Sequence, residues 1–338
     1  MTSRERVKAA MHFQKPDRVP VQYHGGLVGY YEHGDKLNDL FAELDGDFAP
    51  YRRVEPPKPP ASDFDENGLY HAIKRDDWGV LFEYRIFLMR GMPLEYPCTD
   101  PEKIKAYKTP EPPNLSRYRK PGDDTYYHLA PGGELLQRLI ALRSDEEVLM
   151  DIISDESHIH ELAEKIMDFN RVLVKNAIAS GADGISFADD YGTELAPIMS
   201  PRLWKEFIFP RLQSLFKPAR DAGLDVHFHS CGHIWDLLPL MAEAGVTSVW
   251  PQIPVFDMAK LARRCRELGL AIAIHTDRAK TMTFGKPGEV RDLVYKEYET
   301  FKLCDGGGWF YIEVDNGFPW ENVTTLVRTV KEIVHGKK

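Results

Sequence analysis

Residues 223–245, GLDVHFHSCGHIWDLLPLMAEAG, contain one complete strand–helix unit, and this stretch decides the fold class. Residues 224–229 form a short, largely apolar run that is typical of a buried strand, and residues 233–244 have the spacing of an amphipathic helix. Gly223 and Gly245 each come just past a predicted helix, where a left-handed C-cap is expected. The stretch therefore predicts a buried strand followed by a helix that packs against it.

The same unit recurs along the second half of the chain. The candidate strands are 184–188, 224–229, 247–250, 270–275 and 309–314. The candidate helices are 201–222, 233–244, 257–268, 287–304 and 320–335, after helical periodicity over 145–180. Strands that alternate with crossover helices pair in parallel. The pattern predicts an α/β fold, either a (β/α)8 barrel or a doubly wound open sheet, and neither G-x-G-x-x-G nor G-x-x-x-x-G-K-[ST] supports a nucleotide-binding version.

Residues 1–143 are less regular. Thr2-Ser-Arg-Glu5 has the form of a capping box that starts a short helix, and 18–22 indicates a short strand. The Pro-rich segments 55–60 and 110–113 favour extended backbone. These segments are either surface connections or parts of a lid over an active site.

Composition limits the class of protein. The chain has 338 residues, a formal net charge of −9 and a pI of about 5.8, which argues against binding to nucleic acid or to an anionic membrane surface. No apolar run approaches the roughly 18 residues of a membrane span, and the N-terminus has no apolar signal region. The four cysteines are too scattered for a disulfide framework: Cys98, Cys231, Cys265 and Cys304. We expect a reduced, cytoplasmic enzyme, for which a homodimer is one option because the sequence leaves the oligomeric state open.

Polar or metal-capable side chains follow all five candidate strands. These ends read Ala188-Asp-Asp-Tyr-Gly192, His227-Phe-His-Ser-Cys-Gly232, Trp250-Pro-Gln252, His275-Thr-Asp-Arg278 and Glu313-Val-Asp-Asn-Gly317. In a parallel α/β barrel the loops after the strands line one mouth, where catalysis takes place. The five ends together predict a functional site at that mouth.

His229-Ser-Cys231 is the most specific of these ends. Alternate residues at a strand end share a face, so the imidazole and the thiolate can reach one ion, and this pair favours zinc. A catalytic zinc needs a third protein ligand, and we prefer Glu313 over Asp315 at the end of the last strand. Cys304 falls in the helix before that strand, on the wrong side.

Other interpretations of the same residues remain open. His229 and Cys231 can be a buried histidine and a core thiol, or a Cys–His nucleophile pair, although residues two apart on a strand point alike without facing each other. Asp190 and Asp277 are the candidate catalytic acid/base residues, with capping of the following turns as the alternative. The candidate substrate-binding residues are Asp189, Tyr191, Trp250 and His275.

Several motifs resemble proteins of the uroporphyrinogen decarboxylase superfamily. They are Arg4-Glu-Arg-Val-Lys-Ala-Ala10 with Pro16-Asp-Arg-Val-Pro20, Asp189-Asp-Tyr-Gly192, Ser200-Pro201, His229-Ser-Cys-Gly232 and Phe284-Gly-Lys-Pro-Gly-Glu-Val290. The resemblance spans nearly the whole chain. It implies a (β/α)8 TIM barrel, here one domain over residues 1–338 with an irregular, loop-rich N-terminal half.

The superfamily includes tetrapyrrole decarboxylases and the zinc methyltransferases of corrinoid systems. The decarboxylases carry an R-Q-A-G-R motif near the N-terminus, whereas the matching residues 21–26 read VQYHGG, so the H-x-C motif points to the methyltransferase branch. Members of that branch that methylate thiols have a cysteine after the last strand, where this chain has Glu313-Val-Asp315. A carboxylate in place of a soft thiolate leaves zinc a better Lewis acid, which suits a methyl ether as donor.

The resemblance therefore implies an O-demethylase type of methyltransferase. Zinc is bound by His229, Cys231 and Glu313, and the methyl donor is a methoxylated, aromatic small molecule. The acceptor is the Co(I) of a corrinoid (cobalamin) carried by a separate partner protein. Two alternatives stay open: a decarboxylase that acts on a tetrapyrrole or another carboxylate, and a non-catalytic barrel that binds a ligand.

Overall fold

The structure, a computed structural model, describes residues 1–24, 26–114 and 125–336. The strands are β1 (Val21–His24), β2 (Ala72–Arg75), β3 (Leu81–Tyr84), β4 (Met92–Glu95), β5 (Leu129–Pro131), β6 (Gly184–Ala188), β7 (Asp225–Ser230), β8 (Ser248–Pro251), β9 (Ala271–Ile274) and β10 (Gly308–Glu313). The helices are α1 (Ser3–Met11), α2 (Leu27–His33), α3 (Asp35–Phe41), α4 (Pro101–Ala106), α5 (Leu136–Arg143), α6 (Asp145–Ile153), α7 (Ser157–Ala179), α8 (Pro201–Phe207), α9 (Phe209–Asp221), α10 (Leu238–Ala244), α11 (Met258–Glu267), α12 (Thr281–Phe284), α13 (Pro287–Thr300) and α14 (Trp320–His335).

Seven strands form one curled parallel sheet in the order β1-β10-β9-β8-β7-β6-β5. Helices cover its outer face, so the predicted α/β class and TIM-barrel-like fold are confirmed. The first half of the chain also holds a separate antiparallel sheet, β2-β3-β4, which the sequence analysis did not predict. Within the described ranges, no helix is both long enough and apolar enough to cross a membrane.

Irregular backbone at Asp47 joins the two edges of the curled sheet. The Asp47 N–H donates to the Val21 carbonyl at 2.8 Å, and the Asp47 carbonyl accepts from the Tyr127 N–H at 3.0 Å. The buried Asp47 carboxylate pairs with Arg6 at 2.7 Å and with Arg18 at 2.8 Å. One residue thus bridges the place of an eighth strand, and we call this gap between β1 and β5 the seam.

Helix α1 packs against the inner face of the sheet. Its N-terminus is the predicted capping box, in which the Thr2 side chain accepts from the Glu5 N–H and the Glu5 carboxylate accepts from the Thr2 N–H. The apolar residues Val7 and Met11 of this helix belong to a cluster with Trp309 on the inner face of the sheet. This contact covers the part of the inner face around Trp309.

Alternation along the strands decides which side chains face the interior. On β7, Val226 and Phe228 pack between the sheet and the outer helices, so His227 and His229 face inward. The His227 ring lies 5.3 Å from Trp309, an interior residue of β10, which confirms this orientation. Cys231 is two residues after His229, so by the same alternation it also faces inward, just beyond the end of β7.

The predicted helices begin within one residue of the observed ones except at α10, and two predicted segments are each divided into two helices. The predicted helix 201–222 is two helices, α8 and α9, and the periodic segment 145–180 is α6 followed by α7. Helix α10 begins at Leu238, later than the predicted residue 233, because the His233 N–H donates to the Thr193 carbonyl at 2.7 Å and holds this segment against the loop after β6.

Candidate metal centre and active site

Three side chains from two adjacent strand ends come together at the barrel mouth. They are Asp190 after β6 and His229 and Cys231 on and after β7, with ligand atoms within 4.8 Å of one another. His229 Nε2 lies 3.4 Å from Cys231 Sγ and 3.5 Å from Asp190 Oδ1. Among the described residues this is the one such group of three His, Cys, Asp or Glu side chains. The predicted pairing of His229 with Cys231 is therefore present in the geometry, and Asp190 lies beside it.

The backbone of β8 orients the His229 ring. Its Nδ1 lies 2.9 Å from the Trp250 carbonyl oxygen, which can only accept, so Nδ1 carries the proton and Nε2 keeps its lone pair toward Cys231. Burial lowers the pKa of His229, and the nearby Asp190 carboxylate opposes this shift. A neutral imidazole with a free Nε2 lone pair is the form that binds a metal.

The environment of Cys231 argues against the Cys–His nucleophile alternative. Burial, together with the nearby carboxylates of Asp190 and Glu313, raises the pKa of the thiol to about 12. A reactive cysteine needs a lowered pKa beside a cation or an imidazolium. Without a cation this thiol stays protonated, whereas a bound divalent metal would favour the thiolate.

The donor set fits zinc. Zinc binds a histidine nitrogen at about 2.1 Å and a cysteine sulfur at about 2.3 Å, so two such ligands of one ion can lie up to about 4.4 Å apart. The observed separations of 3.4 Å and 3.5 Å are within that limit. One nitrogen, one sulfur and one carboxylate oxygen leave a fourth tetrahedral position for a substrate.

Two glycines bring the loops after β6 and β7 together. Gly232 has φ +77°, and a Cβ on it would lie 2.1 Å from the carbonyl carbon of Gly192. The Tyr191 N–H donates to Ser230 Oγ at 3.0 Å across the same contact. This backbone approach places Asp190 beside Cys231, whose N–H donates to Asp190 Oδ1 at 2.9 Å.

Glu313, the predicted third ligand, lies against His275. Its Oε2 is 3.6 Å from His275 Nε2. Burial raises the pKa of Glu313 to about 7, and the neighbouring Asp315 carboxylate adds to the shift. Burial lowers the pKa of His275 to about 3, so its ring is neutral near pH 7. The role of Glu313 as a ligand stays a prediction, since the close group of three contains Asp190 and Glu313 borders it.

The Trp250 ring lies between His229 of the three-residue group and His275, the partner of Glu313. Its ring lies 4.0 Å from the His229 ring, 4.5 Å from Tyr311 and 5.4 Å from His275, measured between centroids. A cavity of about 260 Å³ opens beside it, lined by His229, Cys231 and His275 among others. The predicted substrate-binding residues Trp250 and His275 are thus placed at the wall of a cavity that reaches the His–Cys pair.

Two other predicted substrate-binding residues are buried structural residues. Asp189 is 3% exposed, and its carboxylate accepts from the N–H groups of residues 135–137 at 2.7–2.9 Å, where α5 begins. Tyr191 donates to the same carboxylate at 2.9 Å and stacks on Phe228. Burial raises the pKa of Asp189 to about 7. These contacts give both residues a structural role, and their predicted contact with substrate stays a prediction.

Asp277 holds the turn that follows β9. Its carboxylate accepts from the N–H groups of Ala279 and Lys280 and from the N–H and hydroxyl of Thr281, at 3.1–3.2 Å. This is the capping role that the sequence analysis kept as the alternative. Asp277 also lines the cavity, so its predicted catalytic role stays a prediction.

Two residues at the mouth received no role from the sequence. Arg278 pairs with Asp315 at 2.5 Å and lines the cavity. Gln252 accepts from the Gly232 N–H at 2.9 Å and so holds the His–Cys loop from the side of β8. Both residues belong to the polar strand ends identified in the sequence. Their roles depend on contacts with the ends of other strands, which one sequence does not show.

The fold and the site together define a TIM-barrel-like protein with a His–Cys–Asp group at the mouth of the barrel. Residues 139–333 match the family described as uroporphyrinogen decarboxylase (URO-D). The match covers more than half of the chain, so the protein belongs to this family, and the resemblance predicted from the motifs is confirmed. No curated protein sequence matches the chain.

A solved structure shares the whole fold. It is a methyltransferase from Methanosarcina mazei, which is 16% identical with a TM-score of 0.63 over 98% of this chain and 99% of that chain. At this identity the likeness shows the fold alone. A dihydropteroate synthase from Stenotrophomonas maltophilia is 15% identical over 47% of this chain and 62% of that one, and its TM-score of 0.30 is too low to support an argument.

Proposed function

We propose that the protein is a zinc-dependent methyltransferase of the O-demethylase type. It moves a methyl group from a methoxylated aromatic small molecule to the Co(I) of a corrinoid (cobalamin) carried by a partner protein. The group of Asp190, His229 and Cys231 at the barrel mouth is the observation that carries this proposal. Membership of the URO-D family and the fold shared with a methyltransferase are consistent with it.

His229 Nε2 and Cys231 Sγ would hold the metal, together with one carboxylate. Glu313 is that carboxylate by the sequence argument, and Asp190 is favoured because its carboxylate belongs to the close group with His229 and Cys231. A bound zinc ion supplies Lewis acidity for the ether oxygen of the donor, which lowers the cost of the departing phenolate.

The residues around the pair orient it and keep water away. The Trp250 carbonyl fixes the tautomer of His229, and the Trp250 ring covers the imidazole. Asp190 fixes the backbone at Cys231. The neutral His275 and the Trp250 ring form the wall against which an aromatic donor would pack. A pre-oriented ligand set of this kind raises both metal affinity and rate.

The decarboxylase alternative has less support from the cavity. A tetrapyrrole with many carboxylates needs several cationic side chains. Among the described residues that line the cavity beside His229, Arg278 is the one arginine or lysine, and it already pairs with Asp315. We therefore keep methyl transfer as the proposal.

Methyl transfer to Co(I) cobalamin tests the proposal. Methoxylated aromatics serve as donors, and the absorbance change of the cobalamin on methylation is followed with zinc-loaded and with chelated protein. We expect transfer that needs zinc and that returns when zinc is added back. Transfer that persists without zinc would contradict the mechanism, and release of carbon dioxide from a tetrapyrrole would support the decarboxylase instead.

A further inference from the structure

The side-chain amide of Gln252 is fixed at its oxygen end, whereas its nitrogen end has no partner among the described residues. Its Oε1 accepts a hydrogen bond from the Gly232 N–H at 2.9 Å. A backbone N–H can only donate, so this contact decides which end of the amide is the oxygen. The nitrogen Nε2, which carries two N–H groups, is therefore the other end. Within the described part of the chain nothing accepts a hydrogen bond from Nε2, and this atom is not buried.

The backbone around Gln252 holds the amide in place. Gln252 directly follows β8 and lies between Pro251 and the buried Ile253. Its carbonyl accepts from the Val255 N–H at 3.2 Å, which closes the turn after the strand. The residue is thus held at its backbone and at Oε1. A donor fixed in this way needs little reorganisation when a ligand binds to it.

Gln252 lines the cavity beside His229, where the other side-chain donors have partners of their own. The His229 Nδ1 proton is bonded to the backbone of β8 at 2.9 Å. Arg278 pairs with Asp315 at 2.5 Å, and the His275 Nε2 lies 3.6 Å from a carboxylate. The amide nitrogen of Gln252 is therefore the donor that an oxygen atom of a ligand in this cavity can use without breaking a contact.

We propose that Gln252 Nε2 donates a hydrogen bond to the ether oxygen of the methyl donor, so that Gln252 determines which donors the cavity accepts. The identity of this ligand rests on the proposed function, in which the ring packs against Trp250 and His275 in the same cavity. An ether oxygen has two lone pairs, so it can accept from Nε2 while it also faces the His229–Cys231 pair. The hydrogen bond itself needs neither zinc nor a corrinoid.

This hydrogen bond should become stronger as the methyl group leaves. In the proposed transfer the bond between the methyl carbon and the ether oxygen breaks, and its electron pair stays on the oxygen, which becomes a phenolate. The methyl group is transferred to the Co(I) of the partner protein, which supplies the electron pair of the new bond. A fixed donor beside an oxygen that gains negative charge stabilises the transition state more than the bound substrate. Gln252 should therefore affect the rate as well as binding.

Two probes that differ in one group test binding to the metal-free protein. Methoxybenzene carries the ether oxygen, and ethylbenzene has a CH₂ group in its place. Gln252→Glu keeps an acceptor for the Gly232 N–H but has no N–H for the ligand. The affinity for methoxybenzene relative to ethylbenzene should therefore be about threefold to tenfold lower in this variant, as expected for one lost hydrogen bond, when measured by ligand-observed NMR. Gln213→Glu makes the same change at an exposed position of α9, outside the cavity, and should keep the ratio of the unchanged protein.

The side-chain amide signal of Gln252 in nitrogen–proton NMR spectra locates the contact. It is identified as the NH₂ signal that is lost in Gln252→Glu. We expect methoxybenzene to shift this signal and ethylbenzene to leave it nearly unchanged. A purely structural role of Gln252 would lower the affinities for both probes alike and leave their ratio as it is. An equal ratio in Gln252→Glu and the unchanged protein, or a Gln252 signal on which the two probes act alike, would overturn the proposal.

Activity separates this proposal from the proposed function. In Gln252→Glu that holds as much zinc as the unchanged protein, kcat should fall about 100-fold, as when one donor to a developing negative charge is removed. A probe ratio that depends on Gln252, with no zinc-dependent transfer, would leave Gln252 as the donor of the cavity and remove the proposed function. Zinc-dependent transfer by Gln252→Glu with unchanged kcat and KM would remove Gln252 from the reaction while the proposed function stands.

Discussion

The carboxylate of Asp190 accepts a hydrogen bond from the backbone N–H of Cys231 at 2.9 Å. The same oxygen lies 3.5 Å from His229 Nε2. Asp190 therefore contacts Cys231 through a backbone hydrogen bond and acts on His229 electrostatically. The charge of Glu313 helps to raise the pKa of the Cys231 thiol, and the Glu313 carboxylate itself lies against His275.

Zinc affinity distinguishes Asp190 from Glu313 as the third metal ligand. If Asp190 is the third ligand, Asp190→Asn should lower zinc occupancy strongly, whereas Glu313→Gln should lower it little. A residue that only supports a ligand typically costs about 10–100-fold in affinity or activity. Competitive titration with a chelator measures both affinities. The reverse order of losses would assign the ligand to Glu313, as the sequence predicts, and equal normal affinities would exclude both carboxylates.

The contact between Gly192 and Gly232 should tolerate no side chain. Gly232→Ala places a Cβ 2.1 Å from backbone, so we expect a loss of several kcal/mol of stability and separation of Asp190 from Cys231. Gly223→Ala is a matched control, because its φ is +83° with nothing within 4 Å of an added Cβ. That control should cost only about 1–2 kcal/mol, the strain of the left-handed backbone. Urea denaturation of both variants checks this, and equal losses would show that the loop contact is unimportant.

This contact also explains what the sequence could not predict about the site. The shared orientation of the His229 and Cys231 side chains follows from alternation along one strand, which is a local property. The approach of Asp190 depends on two glycines in separate loops that pack backbone to backbone, and one sequence does not show which loops touch. The same holds for Arg278, whose partner Asp315 is on another strand end.

The fold was predictable where short apolar runs are bounded by glycine and polar residues. Strand β6 lies where predicted, and the ends of β7 to β10 lie within one residue of the predicted ends. Strand β2 is mostly exposed, so its sequence lacks the alternation that marks a half-buried strand. The seam was missed because Asp47 joins two strands through its own backbone, with no apolar pattern to indicate it.

Asp47 should be essential for closing the seam. Asp47→Asn removes the charge that faces Arg6 and Arg18, whose side chains are largely buried. Breaking a buried ion pair in this way costs about 3–5 kcal/mol. Asp45→Asn is the control, since Asp45 is exposed and its partner His335 is 3.4 Å away, and it should change stability by less than about 1 kcal/mol. Chemical denaturation compares the two, and a small effect of Asp47→Asn would contradict this role.

Glu297 should make stability depend on pH. Burial raises the pKa of its carboxyl to about 8 from an ordinary value of 4.5, although Thr276 donates to it at 3.1 Å. Between these pH values the folded protein binds one proton more than the unfolded chain. Stability should therefore fall as pH rises from about 5 to 8, with a slope of up to about 1.4 kcal/mol per pH unit from this group.

The variant Glu297→Gln should remove that part of the slope and become more stable than the unchanged protein at pH 8. Denaturation midpoints between pH 5 and 8 measure the effect, with Glu299→Gln, an exposed neighbour, as the control. Parallel pH profiles for the Glu297 variant and the unchanged protein would show that the carboxyl is ionised in the fold.

Zinc per chain, measured in protein purified without a metal-binding tag, tests the central claim most directly. We predict about one zinc per chain in the unchanged protein and in Cys304→Ala, which alters an exposed cysteine, and a large loss in Cys231→Ala. Full zinc occupancy in Cys231→Ala would contradict the assignment of the metal to the His229–Cys231 pair.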